Sequence, residues 1–298
     1  MNARNILMLL GLSIAWGAAF LFLRVAAPEF GAFALIEVRV ALAAVVLLPF
    51  LLQSRNAAEI LRNWKPILLM GILHYAIPFC LFAYAALTLT SGYTAIINAS
   101  SPLFAGLIAW IWLGERLEQG RVIGLFIGVA GVALLVWEKV APQSVSLILP
   151  VCAAVAASLC YAVAAVLAKK QLAGVPPNAV ASGSMVVAAI VLLPASAWFW
   201  PEVPPSQTAW SMAVALGIIC TAVAFVVYFQ LIARIGPTNA ITVTFLAPFF
   251  ASLFGAWFLN EQLTVSMVVG GATVLAGTTL STGLVLLPRF LRRQPISR

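Results

Sequence analysis

The chain has 298 residues, 64% of them hydrophobic and 8% charged. A soluble domain carries roughly a quarter charged residues, so a water-facing fold is excluded and hydrocarbon must surround most of this surface. The formal net charge of +8 would suggest a nucleic-acid partner in a soluble chain, but the placement of the charges gives another reason for it, and no nucleic acid is expected.

Apolar runs of roughly twenty residues cross a hydrocarbon core at about 1.5 Å per helical residue. In chain order such runs fall at 6–26, 33–52, 66–87, 91–113 and 122–137. Five more follow at 145–168, 178–200, 209–232, 238–259 and 265–287. Backbone groups in lipid must be satisfied within their own segment, so the reading is an all-α integral membrane protein of ten transmembrane helices. The first run follows Arg4 and contains Ala15-Trp16-Gly17-Ala18-Ala19, which resembles a cleaved signal peptide. The apolar stretch continues to Ala27 and the topology needs this span, so it is read as retained.

With the N-terminus in the cytoplasm, thirteen of the 16 basic residues fall on the cytoplasmic side: Arg4, Arg55, Arg62, Lys65, Arg116, Arg121, Lys169, Lys170, Arg234, Arg289, Arg292, Arg293 and Arg298. Lys139 falls in an outer loop, and Arg24 and Arg39 lie inside spans near their outer ends. This is the positive-inside pattern. Both termini are then cytoplasmic, and the expected location is a bacterial-type inner membrane. Cys80, Cys152, Cys160 and Cys220 lie within spans without zinc-ligand spacing and read as small packing residues.

An internal repeat organises the chain. Pro102, Phe104, Ala105 and Leu107, then Leu113, Glu115 and Leu117, recur as Pro248, Phe250, Ala251 and Leu253, then Leu259, Glu261 and Leu263. The offset of 146 residues also pairs Gly124 with Gly270 and Gly131 with Gly277. An offset of 145 pairs Trp16 with Tyr161, Arg24 with Lys169 and Pro49 with Pro194. The expected organisation is one five-helix repeat over 1–140, a second over 141–288, and a basic cytoplasmic tail over 289–298. Five spans is an odd number, so the second unit enters the membrane inverted. Inverted repeats place a site near the midplane and solve alternating access directly. The bland alternative is that duplication only supplies a stable bundle.

Ala15-Trp16-Gly17, Glu37-Val-Arg39-Val, and the run from Ala95 through Asn98, Pro102 and Leu113-Gly-Glu115-Arg116-Leu117 to Gly124, Gly128 and Gly131 resemble the EamA-type members of the drug/metabolite transporter superfamily. The resemblance covers essentially the whole chain. It implies ten helices in two inverted repeats, a central cavity, and transport of amino acids or other small metabolites, often outward. In general character the chain resembles the bacterial aromatic amino acid exporters. The second half departs from the pattern, with Tyr161-Ala162 in place of Trp-Gly and Ser184 where Arg39 stands.

The candidate cavity-lining residues are polar or aromatic side chains at mid-span depth. His74, the sole histidine, sits beside Tyr75 with Pro78 and Phe79 following. A polar group at that depth must be paired or wetted, so it either faces a cavity or is satisfied by a neighbouring helix. Thr94, Asn98, Ser101 and Ala105 share one helical face, either a cavity wall or a small-residue seam. Thr244, repeat partner of Asn98, carries the same ambiguity. Trp16, Tyr161, Phe225 and Phe245, with Tyr75 and Phe79, are either packing rings or contacts for a bulky, partly apolar cargo. Trp198, Trp200 and Trp210 read as an interfacial belt. Pro78, Pro102 and Pro248 are expected to bend their helices. Arg24 and Arg39, with Glu37 and Lys169, read as gate or interface charges. A substrate carboxylate at the outer mouth is one reading of the arginines; snorkelling, or pairing with Glu29 or Glu37, is the favoured one.

The chain has no Asp, and Glu37 is the one carboxylate inside a predicted span. A carboxylate relay is therefore not expected, and facilitated or exchange transport of neutral amino acids is the reading. Nucleobases, sugars and drugs remain as other cargo. No cofactor or metal is expected, and no phosphate-binding glycine loop is present. A membrane enzyme is disfavoured, since His74 with Ser101 is the sole conceivable base–nucleophile pair, and a scaffold is disfavoured by the inversion. Partners are then a small molecule and the bilayer, with the chain a monomer or weak dimer.

Overall fold

The computed structural model describes residues 2–114, 119–140 and 145–282, and every regular element among them is a helix. The Glu115–Leu117 part of the repeat motif and the basic tail over 289–298 lie outside the described residues. Among the described residues seven helices are long and apolar enough to cross a membrane, with two shorter apolar stretches at Gly120–Leu135 and Val265–Ser281. Large apolar side chains such as Phe126, Trp137 and Trp198 point outward, as lipid rather than water allows. The chain is a multi-pass membrane protein.

The first helix, α1 (Ala3–Leu51), is 49 residues long, some 70 Å at 1.5 Å per residue and over twice a hydrocarbon core of about 30 Å. It is divided at Gly31, whose φ of 72° and ψ of 167° are non-helical. A backbone region open essentially to glycine alone thus joins the predicted runs 6–26 and 33–52 through one residue rather than a loop. α2 (Ser54–Arg62) is a short polar helix between the apolar runs 33–52 and 66–87. α3 (Trp64–Ala86) and α4 (Ser91–Leu113) complete the first part, and α5 (Gln119–Val140) follows. α6 (Val145–Gln171) and α7 (Pro177–Trp198) lead to α8 (Gln207–Ile235). A single turn at Pro237–Ala240 precedes α9 (Thr242–Leu259) and α10 (Val265–Ser281). Side-chain oxygens of Thr90, Ser206 and Thr264 accept from the backbone N–H three residues on, satisfying donors that helix starts leave free.

Helices approach closely through small residues, the usual device where lipid offers no hydrophobic drive to association. α5 and α10 lie along one another with Gly124, Gly128 and Gly131 facing Gly277 and Val274. α1 packs on α7, α8 and α9, so most of its contacts are with the second half of the chain. Gly71 of α3 touches Ser184 and Val187 of α7, and Gly217 of α8 touches Arg39 and Leu42 of α1.

Two π-turns interrupt the helices at comparable places. Gly71–Ala76 lies in α3 and Ile218–Val223 in α8. Pro78, which has no N–H to donate, follows the first by two residues. The second has no nearby proline; there the Thr221 hydroxyl donates to Leu216 O at 2.8 Å. The bend expected from Pro78 is therefore part of a feature that proline alone does not create.

Candidate functional site

Six of the sequence-nominated residues meet in one cluster. His74 lies in the first π-turn, its ring 4.8 Å from Tyr75, 5.0 Å from Tyr161 of α6 and 6.3 Å from Phe225 of α8. Tyr75 stands 5.6 Å from Phe79 and 5.5 Å from Phe225, and Phe79 is 6.4 Å from Tyr161. Trp16 of α1 joins through Phe225 at 6.2 Å and Tyr228 at 5.1 Å. These separations and edge-on or tilted angles are those aromatic pairs favour. Tyr75 and Phe79 are buried, whereas Trp16, His74, Tyr161 and Phe225 keep part of their surface accessible. The cluster therefore presents ring surface that the protein itself leaves uncovered. His74 Nδ1 is buried without a hydrogen-bond partner.

Arg39 stands at the edge of this cluster, contrary to its expected place at the outer interface. Only 7% of it is exposed. Its Cζ lies 3.6 Å from the Phe79 ring centroid, and its Nε donates to Thr221 Oγ1 at 2.8 Å. It neither snorkels nor pairs with Glu37, because its face of α1 is turned onto α8 rather than toward lipid. Glu37 is also buried, and its Oε2 has no partner.

Arg24 departs from the expected pairing with Glu29 or Glu37. Its Nη1 donates to Ala86 O and Leu87 O at 2.8 and 2.6 Å, and its Nε lies 3.8 Å from Glu261 Oε1. Glu261 in turn accepts from the Ser91 backbone N–H at 2.9 Å. The cation thus sits at the carbonyl end of α3 and the anion at the amide end of α4, each where the helix dipole favours it. Glu29 accepts from the Ser206 N–H at 2.6 Å and from its hydroxyl at 2.9 Å. Lys169 is exposed in the last turn of α6.

The remaining nominated residues are elsewhere. Thr94, Asn98, Ser101 and Ala105 do not form one continuous helical face, because α4 pauses at Ala99 and Ser100. Pro102 has no N–H for Asn98 O, and the Ser101 hydroxyl donates to that carbonyl instead at 2.7 Å. Pro248, by contrast, lies inside α9 without interrupting it. Thr244 donates to Ile241 O at 2.7 Å. No hydrogen bond or ring contact among the described residues links Asn98, Ser101, Thr244 or Phe245 to the cluster. Ser101 and His74 form no base–nucleophile pair. Among the described residues no three His, Cys, Asp or Glu side chains gather to hold a metal.

Sequence reasoning missed Thr221, the partner of Arg39, and Phe82 and Tyr228, which extend the ring network. Thr221 was visible as a hydroxyl near the middle of the apolar run 209–232, the kind of signal that singled out His74. It is also the residue 146 places beyond Tyr75.

The family model for EamA-like transporters matches this chain twice, over residues 3–137 and 148–283. The chain belongs to the EamA-like transporter family. The chain is 23% identical to the Bacillus subtilis protein "Uncharacterized transporter YoaV" over 92% of itself and 95% of that protein. It is 24% identical to a "Probable terminal-alkyne amino-acid exporter" of Streptantibioticus cattleyicolor, covering 90% and 89%. A solved crystal structure superposes with a TM-score of 0.66 at 21% identity, covering 98% of this chain and 99% of the other, which establishes likeness of fold.

Proposed function

We propose that this EamA protein is a secondary transporter of amino acids with aromatic or bulky neutral side chains. It moves them across the cytoplasmic membrane by alternating access, with both termini in the cytoplasm. On this reading α1 supplies two spans bent at Gly31, giving ten spans in two inverted repeats, 1–140 and 141–288. The double match of the family model supports the repeat. So do reciprocal contacts: Gly71 meets Ser184 and Val187, while Gly217 meets Arg39 and Leu42, and each residue corresponds to its counterpart by the sequence offset of 145 or 146. A pseudo-twofold axis generates such pairs.

The observation that carries the cargo reading is the ring cluster, drawn from α1, α3, α6 and α8 at mid-span and only partly covered. Trp16, His74, Tyr75, Phe79, Tyr161 and Phe225 form the proposed binding surface, a smaller set than the sequence nominated. The exporter from Streptantibioticus supports an amino acid over a nucleobase or sugar. Counterflow into proteoliposomes, screened over amino acids, nucleobases and sugars, tests this. Saturable exchange of neutral amino acids is expected. Trp16→Ala and His74→Ala should each raise the half-saturating concentration by about three- to tenfold, the loss of one or two ring contacts. Wild-type protein showing no saturable exchange of any of these compounds refutes the transport reading.

A further inference from the structure

Arg39 has more donors than the protein uses. Arginine is always charged and carries five N–H donors. Among the described residues Nε alone has an acceptor, Thr221, and neither Nη1 nor Nη2 has one. Arg39 forms no ion pair with a carboxylate among the described residues, unlike Arg24 with Glu261. The ionisable groups within electrostatic reach of the guanidinium are Tyr161, Cys220, Tyr75 and Cys80, all ordinarily neutral at pH 7. A cation inside a membrane protein ordinarily has a counter-ion or lines a site. Here its face lies on Phe79, a member of the ring cluster, so its free edge borders the surface proposed to take a side chain.

We propose that Arg39 docks the carboxylate of the transported molecule, while the rings around His74 take its side chain. The inference rests on the transport reading above and adds the chemical group that substrate must carry. Two N–H groups of a guanidinium match the two oxygens of a carboxylate in a planar fork. Thr221 fixes the guanidinium from the Nε side and leaves that fork to the ligand. Thr221 itself is held by its own bond to Leu216 O. The competing role is a staple: Arg39 joins Phe79 of α3 to Thr221 of α8 and would then matter for folding alone.

The test compares counterflow of L-phenylalanine and L-leucine with that of their amides and their decarboxylated amines. These keep the side chain and amino group and lack the carboxylate. For wild-type protein the acids should outcompete amides and amines by at least about tenfold, the worth of one charge-assisted fork. Arg39→Gln should bring the acids down to the level of the amides and leave the amines unchanged. Arg39→Lys, a point charge without the fork, should fall between. Equal exchange of acids and amides by wild-type protein overturns the proposal, and so does an Arg39→Gln protein that retains the acid preference. Equal loss of all three classes in folded Arg39→Gln assigns the staple role and also overturns it. If Arg39→Gln does not fold, the wild-type ratio and Arg39→Lys decide. Absence of exchange for acids, amides and amines alike in wild-type protein removes the transport reading itself, and this proposal with it.

Discussion

Gly277→Ala should loosen the contact between α5 and α10. A methyl group at this position would stand 2.2 Å from Gly128 N, 2.4 Å from Gly128 Cα and 2.7 Å from Gly124 O. All three are backbone atoms, so no side-chain rotation relieves the overlap. Ordinary contact begins at 3.4 Å, and α10 must retreat by about an ångström. A gap of roughly 0.5–1 Å forfeits a quarter to a half of each dispersion contact along the seam, and overpacking of this kind costs ~1–3 kcal/mol. Alanine returns up to ~1 kcal/mol through its helix propensity. The net expectation is destabilisation by ~1–2 kcal/mol. Gly106→Ala is the control, because nothing lies within 4 Å of a methyl group there; only the propensity gain remains. Thermal unfolding of both variants in detergent, followed by tryptophan fluorescence and by monodispersity on gel filtration, should move in opposite directions. A Gly277→Ala protein as stable as Gly106→Ala would refute the close packing of these two helices.

Gly31→Ala should lower stability by ~1–3 kcal/mol, since φ of 72° with ψ of 167° belongs to a region essentially confined to glycine; an unchanged melting temperature would contradict the sharp break in α1. Glu261→Gln keeps an acceptor for the Ser91 N–H but removes the charge facing Arg24 and the start of α4. A loss of ~0.5–1.5 kcal/mol is expected, smaller than that of Glu261→Ala, and the order of the two in thermal unfolding is the check.

The helices were legible because lipid imposes a simple rule: an apolar run must become a helix, and the described residues of these runs are helical over most of their length. What escaped notice depended on geometry rather than composition. Ser54–Arg62 is polar and short, so it reads as a loop until it folds against α7. Gly31 gives no sign in sequence that one residue suffices to separate two spans. The polar stripe on α4 assumed an unbroken helix, and the pause before Pro102 removes that premise. Arg39 was placed at the interface by counting residues from the end of its run. Depth along a helix says nothing of which neighbour the side chain meets, and α8 supplies that neighbour from 182 residues away. His74 and its rings were found because a polar group amid apolar residues is conspicuous in one dimension. Thr221 sends the same signal more faintly, since a hydroxyl can always bond its own helix.

The two π-turns carry polar members of the candidate site. A π-turn is a local excess of one residue inside an α-helix, and such turns occur frequently at functional sites. His74 lies in one and Thr221 in the other. At the start of each, a glycine brings the helix against the opposite half of the chain, Gly71 on α7 and Gly217 on α1. The surface proposed to hold the cargo therefore stands on the two π-turns, where the two halves of the chain touch. A ligand bridging Arg39 and the rings would bias both segments together. That differential contact is what a substrate needs in order to shift the balance between two conformations.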